Sequence, residues 1–306
     1  MKVLIFGSNG LVGSSLAKRL ETSNKVSKLV LSKRTDTNLF NFEETKNKII
    51  NESPDLIVIA AAKVGGIYAN NTNRFEFITE NLKINLNILE SCTYLNKVKV
   101  INLGSSCIYP LNADNPISED SLLSGKLEPT NSPYAMAKLS AIELGDALSK
   151  QFNHEIINLM PTNLYGPNDN FDKISSHVIP GLISRMHEAK INDEEIFNIW
   201  GSGKPKREFL YVDDLSDCIE FLLDQKINDS VINVGSGEEI TILELANLIK
   251  KVINYQGELA FDADKPDGNP RKLLDSTKIN KLGWKSKTKL SDGLKITYDF
   301  YLKNYF

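Results

Sequence analysis

A chain of 306 residues, of which 41% are hydrophobic, is long enough to bury one large core or two unequal ones. Its formal net charge of −3 gives no overall attraction to nucleic acid or to a membrane surface, so we expect neither as a partner. Its three cysteines have no metal-ligand spacing and no paired framework, which predicts reduced thiols, a cytoplasmic location and no bound metal. The apolar start is too short for a signal peptide, and no apolar run is long enough to span a bilayer.

The chain starts with a pattern that is typical of nucleotide binding: MKVLIFGSNGLVGSSLAKRL reads as an apolar strand, a glycine turn and an amphipathic helix. In such a turn the first glycine permits the tight bend, the second lets a diphosphate approach the backbone, and the third allows close helix packing. Glycines alone would indicate only a strand-to-helix turn, but their position after the first strand predicts dinucleotide binding. The predicted binding residues are Gly7, Ser8, Asn9, Gly10, Leu11, Val12 and Gly13.

The second predicted strand, residues 26–31, ends where a carboxylate would bind the adenosine ribose of NAD. This chain has Ser32, Lys33 and Arg34 there. A guanidinium binds a ribose phosphate, which a carboxylate would repel, so the sequence predicts NADPH as the preferred cofactor. The alternative is that Lys33 and Arg34 form a solvated surface pair.

Apolar runs at residues 2–6, 26–31, 56–61, 98–103 and 156–159 alternate with amphipathic helical stretches. This alternation predicts an α/β fold with a doubly wound parallel sheet, a Rossmann fold, covered by helices on both faces. After Tyr165 the pattern changes to loops, short strands and helices, which indicates a smaller α/β domain that binds the substrate. The predicted division is residues 1–164 plus about 209–236 for the nucleotide-binding domain, and about 165–208 plus 237–306 for the smaller one. Within the latter, Thr241 and Glu244 are spaced as a capping box at a helix start.

The run at 98–103 is predicted to carry the residues GSSC at its carboxyl end. If the extended conformation continues, Ser105 and Cys107 lie on the same side of the chain. A hydroxyl there can hydrogen-bond a substrate carbonyl, and a thiolate can remove a proton from the adjacent carbon. Taken alone, such a cysteine is more often a small buried apolar residue.

The segment TNSPYAMAK predicts a helix start, with Ser132 as N-cap and Pro133 at the first helical position. Tyr134 and Lys138 are four positions apart and share one helix face. The ammonium and the positive end of the helix dipole both favour a phenolate, so we expect a lowered pKa for Tyr134 and a role in acid–base chemistry. The YxxxK spacing also arises by chance in many helices.

Together these motifs resemble the extended short-chain dehydrogenase/reductases and, more narrowly, the GDP-L-fucose synthase family of bifunctional epimerase/reductases. The resemblance covers nearly the whole chain. The matching stretches are AAAKVGGIYANNT (60–72), GSSCIYP (104–110), LEPTNSPYAMAK (127–138), MPTNLYGPNDNF (160–171), SSHVIP (175–180), WGSGKPKREFLYVDD (200–214) and KPDGNPRKLLD (265–275).

The resemblance implies that Tyr134 donates a proton to the keto oxygen, that Ser105 holds this oxygen, and that Lys138 binds the cofactor ribose. Cys107 and His177 would be the base and acid of epimerisation. Inversion at a carbon beside a ketone needs two such groups on opposite faces and a stabilised enolate between them. The expected reaction inverts carbons 3 and 5 of GDP-4-keto-6-deoxy-D-mannose and then reduces carbon 4 with NADPH, which gives GDP-L-fucose.

The resemblance also implies further contacts. Arg185 and Arg207 would neutralise the GDP diphosphate, Trp200 would contact the sugar or base, Asp267 would bind a polar edge, and Arg271 would add charge. The remaining cofactor residues would be Ala60, Ala61, Ala62, Leu103, Gly104, Tyr134, Lys138, Pro161, Asn163, Leu164 and His177. The remaining substrate residues would be Lys63, Ser105, Ser106, Cys107, Asn163 and Val178.

Several interpretations stay open. Relatives with similar motifs reduce carbon 4 of GDP-keto-heptoses or dideoxyhexoses, with or without epimerisation. A UDP-sugar epimerase without net redox and a non-catalytic dinucleotide sensor are two further hypotheses. The family implies a homodimer that pairs through two helices, here expected around residues 81–95 and 135–151.

Overall fold

A computed structural model describes residues 1–227, 229–262, 264 and 267–306. Residues 265 and 266, the first two of the KPDGNPRKLLD stretch, lie outside the described residues. The strands are β1 (Lys2–Phe6), β2 (Lys28–Ser32), β3 (Leu56–Ile59), β4 (Lys99–Leu103), β5 (Glu155–Pro161), β6 (Asn163–Tyr165), β7 (Ile196–Trp200), β8 (Lys206–Tyr211), β9 (Val231–Val234), β10 (Glu239–Thr241), β11 (Glu258–Asp262) and β12 (Arg271–Lys272). The helices are α1 (Leu11–Glu21), α2 (Phe42–Glu52), α3 (Ile67–Thr72), α4 (Arg74–Cys92), α5 (Ser132–Phe152), α6 (Val178–Ile191), α7 (Val212–Leu222), α8 (Ile242–Ile253), α9 (Thr277–Leu282) and α10 (Leu290–Tyr305).

The central sheet is parallel throughout its described strands and has the order β2-β1-β3-β4-β5-β9. The chain moves from β1 to β2 on one side and then crosses to β3 on the other, so the order reverses between β1 and β3. In an open α/β sheet, ligands bind in the crevice at the carboxyl ends of the strands beside such a reversal. The predicted doubly wound Rossmann sheet is therefore confirmed.

Both faces of this sheet are buried, which explains why its strands read as continuous apolar runs. On β1, Val3 and Ile5 face one hydrophobic cluster, and Leu4 and Phe6 face another on the opposite side. A separate core forms where α6, α8 and α10 pack with β7 and β8. The predicted boundaries between the two domains stay a prediction.

Most differences from the predicted elements are shifts of one to three residues at their ends, where a helix or strand frays. One of them affects the site: α5 begins at Ser132, so Asn131 is its N-cap and the expectation that Ser132 caps this helix is wrong. The Ala135 amide donates to the Asn131 carbonyl at 3.0 Å and so starts the helix one residue earlier. The predicted capping box of Thr241 and Glu244 is present at the start of α8.

No helix in the described part of the chain is long and apolar enough to cross a membrane. Among the same residues, no group of three or more histidine, cysteine or acidic side chains could hold a metal ion.

Candidate active site

The glycine turn, residues 7–13, lies at the reversal of the sheet and is built by close backbone contacts. Gly7 has φ +80°, and a Cβ there would lie 2.6 Å from the Ala61 amide nitrogen. A Cβ on Gly13 would lie 2.1 Å from the Gly7 carbonyl oxygen, so both positions require glycine. At Gly10 the nearest of the surrounding atoms is 3.6 Å away, which leaves room for a side chain within the protein.

This turn fits the diphosphate of a dinucleotide. Gly10 caps α1 without a side-chain hydrogen bond, and the first turn of the helix carries no acidic residue. The free amides and the positive end of the helix dipole therefore face the crevice. The buried Ser8 hydroxyl has no hydrogen-bond partner within the described residues, so it is available to an anion. Leu11 and Val12 supply two of the free helical amides, and Asn9 is exposed in the turn.

Lys33 and Arg34 follow β2 and are both exposed. The Arg34 guanidinium lies 5.6 Å from the centre of the Phe40 ring and forms no ion pair with any described residue. The nearby Asp36 carboxylate accepts a hydrogen bond from the Lys33 amide at 3.0 Å, and this bond lowers the pKa of Asp36. The Asp36 carboxylate is thus bound to the backbone of its own turn, and the Arg34 guanidinium is free to bind a phosphate.

Small and apolar residues line the other strand ends at the crevice. Ala60, Ala61 and Ala62 follow β3 and are half-buried, and the Ala60 amide donates to the Phe6 carbonyl at 3.0 Å. Of the remaining predicted cofactor residues, Leu103 and Pro161 end β4 and β5, and Asn163 and Leu164 open β6. A Cβ on Gly104 would lie 2.2 Å from the Met160 side chain, so this position has no room for one unless Met160 moves.

Tyr134 lies at the start of α5, and only 9% of its surface is exposed. Its ring meets Phe77 edge-on at 6.2 Å. The Lys138 ammonium is almost fully buried and donates to the Leu103 carbonyl at 2.7 Å, while it lies 5.8 Å from the centre of the Tyr134 ring. The lysine is therefore bound to the end of β4 and not to the phenol.

Burial decides the protonation of this pair. Desolvation, followed by the nearby Cys107, raises the pKa of Tyr134, and the interaction with the Ser105 side chain lowers it only partly. Burial lowers the pKa of Lys138 to about 8. The expectation of a lowered pKa for Tyr134 is wrong, because removal of water outweighs a charge that does not reach the hydroxyl. Tyr134 is thus a protonated phenol at neutral pH, as a proton donor must be.

Cys107 reaches the phenol by a route other than the predicted one. Residues Ser106–Ile108 form a 3₁₀ turn, so the expectation that the extended conformation continues past Ser105 is wrong. The Ser105 hydroxyl accepts a hydrogen bond from the Cys107 amide at 3.2 Å, and this bond turns the chain. The half-buried Cys107 side chain then packs against the cluster that contains Tyr134. Ser106 itself is 3% exposed.

Two polar side chains converge on the Cys107 sulfur. The Asn131 Nδ2 lies 3.7 Å from Sγ, and the Lys272 Nζ lies 3.6 Å from it. Cys107, Asn131, Tyr134 and Lys272 are named the thiol cluster below.

His177 is half-buried and precedes the first residue of α6, Val178. The segment before it packs on the chain after β3, since the Gly66 amide donates to the Ser175 carbonyl at 2.9 Å. At the neighbouring Gly65, an added Cβ would lie 3.3 Å from both this carbonyl oxygen and the Phe77 ring, so the three groups are close together. These contacts bring the backbone of His177 to the region of the thiol cluster, and burial lowers the pKa of its imidazole.

Four predicted substrate residues form a connected path. The Arg185 guanidinium stacks 4.6 Å from the centre of the Trp200 ring. Both Asp267 carboxylate oxygens accept hydrogen bonds from Ser202 at 2.7 Å, which ties this loop to the end of β7. The Asp267 carbonyl in turn accepts from Arg207 Nη2 at 3.2 Å, and Arg207 is near enough for a charge on Cys107 to raise its pKa.

Three other predicted substrate residues bind other groups of the protein. Arg271 Nε donates to Glu239 Oε2 at 2.7 Å, and Lys63 Nζ pairs with Glu80 Oε1 at 2.6 Å. Asn163 Nδ2 donates to the Glu208 carbonyl at 3.0 Å. The binding roles of these residues stay predictions.

The sequence model of the "NAD dependent epimerase/dehydratase family" matches residues 3–235. The chain belongs to this family. It is 48% identical over 303 residues to GDP-L-fucose synthase 1 of Arabidopsis thaliana, covering 99% of this chain and 94% of that protein. It is 44% identical over 312 residues to the GDP-L-fucose synthase of Escherichia coli K12, covering 99% and 97%. MlghC, a GDP-mannoheptose C4 reductase from Campylobacter jejuni solved with NADP bound, has a similar structure, with a TM-score of 0.87, 30% identity and 98% coverage of each chain.

Sequence reasoning missed two residues of this epimerase/dehydratase-family site, Asn131 and Lys272. Asn131 is easily missed because the sequence favours Ser132 as the N-cap. Lys272 stands beside Arg271, the stronger phosphate-binding candidate by residue type, but β12 pairs with β8 so that Lys272 lies opposite Arg207. Successive side chains on a strand point to opposite faces, so only one of these two cations can reach the site. The motif KPDGNPRK was the signal, but choosing between its cations needs the strand register.

Proposed function

We propose that the protein is an NADPH-dependent epimerase/reductase that converts GDP-4-keto-6-deoxy-D-mannose to GDP-L-fucose. The observation that carries this proposal is the contact of a protonated, buried phenol with Ser105 and Cys107 at the end of β4, beside the nucleotide crevice. A reductase needs only the phenol and the hydroxyl, so the thiol indicates a second reaction at the same ketone. The identity to GDP-L-fucose synthases over nearly the full chain supports the substrate.

Epimerisation comes first in this proposal. Cys107, as a thiolate, removes the proton from carbon 3 or carbon 5, and the electron pair moves into the enolate of the carbon-4 ketone. Tyr134 and Ser105 stabilise the enolate oxygen by donating hydrogen bonds to it. His177 then delivers a proton to the opposite face of the same carbon. Because burial lowers the pKa of His177, it must first take up a proton from solvent.

Reduction uses the same oxyanion-binding groups. When bound, NADPH supplies the hydride for carbon 4. Tyr134 transfers its hydroxyl proton to the keto oxygen, and Ser105 keeps this oxygen in place. Lys138, held by the Leu103 carbonyl, lies at the end of β4 where the cofactor ribose would bind. One oxyanion site thus serves both reactions, because an enolate oxygen and a carbonyl under reduction develop the same charge.

Arg185, Trp200, Arg207 and Asp267 are proposed to hold the GDP part of the substrate. Arg207 suits the diphosphate, since a guanidinium binds phosphate oxygens through a fork of donors. Burial lowers the pKa of both arginines, and at Arg207 the charge of Asp267 partly opposes this effect. The exposed Trp200 ring, already stacked on Arg185, offers a flat surface to a base or sugar.

The test is incubation with NADPH and either GDP-4-keto-6-deoxymannose or a GDP-keto-heptose, with cofactor oxidation followed by absorbance and product stereochemistry by NMR. We expect oxidation and a doubly inverted product with the deoxyhexose. Tight NADPH binding without oxidation of any keto sugar would favour a sensor. Conversion of a UDP-sugar without net oxidation would favour an epimerase of another class.

Cys107→Ser separates the two activities. We expect this variant to reduce a substrate that is already epimerised but to lose deuterium incorporation from solvent at carbons 3 and 5. If incorporation continued at the rate of the unchanged protein, Cys107 would not be the base.

A C4 reductase for a GDP-keto-heptose or dideoxyhexose is the second candidate, favoured by the structural similarity to MlghC. Such a reductase needs Tyr134 and Ser105 but no base at Cys107. In this case Cys107→Ser would leave NADPH oxidation with the preferred sugar unchanged.

We further propose that the protein is a homodimer in the cytoplasm. The helices α4 and α5 pack on each other and expose apolar side chains, with Phe75 75% exposed and Leu86 and Met136 nearly half exposed. A second copy would cover this surface as a bundle of four helices. Light scattering should give twice the mass of the chain, and Leu86→Lys should lower it to that of a monomer.

The cysteines are free thiols in the structure, which suits the reducing compartment proposed for this protein.

A further inference from the structure

Lys272 is a buried lysine whose charge has an unusual partner. Lys272 is the second residue of β12, and only 8% of it is exposed. Within the described ranges, the Cys107 sulfur at 3.6 Å is the only hydrogen-bond or ion-pair partner of its ammonium. A buried ammonium without a counter-charge is strongly disfavoured, so the sulfur is the group available to supply one.

The backbone around Lys272 is fixed from both sides. In the register of β12 with β8, Lys272 lies opposite Arg207, while Arg271 pairs with Glu239 on the other face. The next residues are anchored as well: the Leu273 amide donates to Asn115 Oδ1 at 2.8 Å, and the Leu274 amide donates to Glu208 Oε2 at 3.1 Å. Lys272 therefore extends from a held strand and not from a mobile loop.

The other groups that face the sulfur favour a negative charge there or are neutral. Asn131 Nδ2, at 3.7 Å, points a second donor at it from the start of α5. Arg207 adds positive charge from β8. Tyr134 stays neutral because burial raises its pKa, and burial lowers the pKa of His177, so that this imidazole is mostly neutral as well.

We propose that Lys272 is a positioning residue that pairs with Cys107 as a thiolate, so that the base of epimerisation is charged before substrate arrives. A thiolate, unlike a thiol, can take a proton directly from carbon. The Cys107 proton goes to solvent in the resting protein. Sγ then accepts the carbon proton, becoming a thiol as the enolate forms, and it returns this proton to solvent before the second inversion. The base role rests on the proposed function, whereas the ion pair itself does not.

The test is alkylation of the intact protein by iodoacetamide without cofactor or substrate, followed from pH 5 to 10 by mass spectrometry. Cys92 and Cys218 are both 0% exposed, so the reaction reports on Cys107, and Cys107→Ser gives the background. For Lys272→Met we expect a rate at pH 7 that is about tenfold lower and a midpoint of the rate curve about one unit higher. Lys272→Arg keeps the charge and should retain most of the rate. Lys204→Met, at an exposed lysine, is the matched control and should react as the unchanged protein does.

The proposal would be overturned if Lys272→Met and the unchanged protein gave the same curve of alkylation rate against pH. If this variant also lost affinity for GDP, Lys272 would be a ligand of the diphosphate instead. A second measurement needs no lysine variant: the difference in absorbance at 240 nm between the unchanged protein and Cys107→Ser reports the thiolate directly. We expect this signal at pH 7 and its loss on acidification, and its absence at pH 7 would overturn the ion pair. Neither assay requires turnover, so a wrong substrate assignment would leave these results interpretable.

Discussion

The glycine turn and the thiol cluster follow the carboxyl ends of β1 and β4 in the same parallel sheet but are built in different ways. The glycine turn is a single segment of seven residues whose function depends on the absence of side chains. The thiol cluster consists of the side chains of residues 107, 131, 134 and 272, and its function depends on their charges and hydrogen bonds. We therefore expect the glycine turn to tolerate little added volume. The thiol cluster should tolerate a change of side-chain shape better than the loss of a charge or of a proton donor.

The largest expected effect tests the thiol cluster by removing its proton donor. Tyr134→Phe keeps the ring that packs on Phe77 and deletes only the hydroxyl. We expect NADPH oxidation to fall by about 10²–10⁴-fold, the usual contribution of a positioned acid, with NADPH affinity unchanged. Single-turnover absorbance and a fluorescence titration with NADPH measure the two quantities. A loss of cofactor affinity equal to the loss of rate would mean that the hydroxyl binds and does not donate.

The next effect tests the glycine turn by adding one methyl group. Gly13→Ala would place a Cβ 2.1 Å from the Gly7 carbonyl, a backbone atom that cannot move aside freely. We expect a loss of about 3 kcal/mol in the free energy of unfolding, at the upper end for overpacking. The accompanying loss of NADPH affinity should be about a hundredfold.

Gly10→Ala is the matched control, because its Cβ would meet the Gly7 carbonyl at 3.6 Å, an ordinary contact. It should unfold at the temperature of the unchanged protein and lose only cofactor affinity. Equal destabilisation by the two substitutions would show that α1 does not pack on the turn as closely as described.

The same contrast explains how much could be predicted from the sequence. The capping box of α8, the glycine turn and the parallel sheet are each predicted from local patterns, namely residue spacing, glycine positions and the alternation of strand and helix segments, and these predictions are confirmed. The protonation of Tyr134 was predicted in the wrong direction, since sequence spacing shows Lys138 nearby but not its bond to the Leu103 carbonyl. Lys272 reaches Cys107 across 165 positions of the chain, and only the register of β12 determines which of two adjacent cations does so.

That register leads to a prediction with a built-in comparison. Arg207→Ala removes the cation on the face of the thiol cluster, and Arg271→Ala removes the one paired with Glu239. We expect GDP affinity, measured by calorimetry, to fall about tenfold for Arg207→Ala, the scale of one lost charge-assisted hydrogen bond. Arg271→Ala should change it little. Equal losses would mean that both strand faces contribute to the nucleotide site.

The smallest effect concerns pH and separates the two reactions. Burial lowers the pKa of His177, so the imidazole is mostly neutral at pH 7 and its acid form becomes scarcer as the pH rises. Above its pKa the protonated fraction falls tenfold per unit, so deuterium incorporation at carbons 3 and 5 should fall about threefold from pH 7.0 to 7.5.

Reduction of an epimerised substrate should stay level over the same interval. Its proton comes from Tyr134, whose pKa burial raises, so the donor remains fully protonated there. The two rates measured on one sample thus distinguish a shortage of imidazolium from a general loss of activity. If incorporation rose with pH instead, the concentration of thiolate would limit epimerisation, and Cys107 would have to be largely a neutral thiol at pH 7 in spite of Lys272.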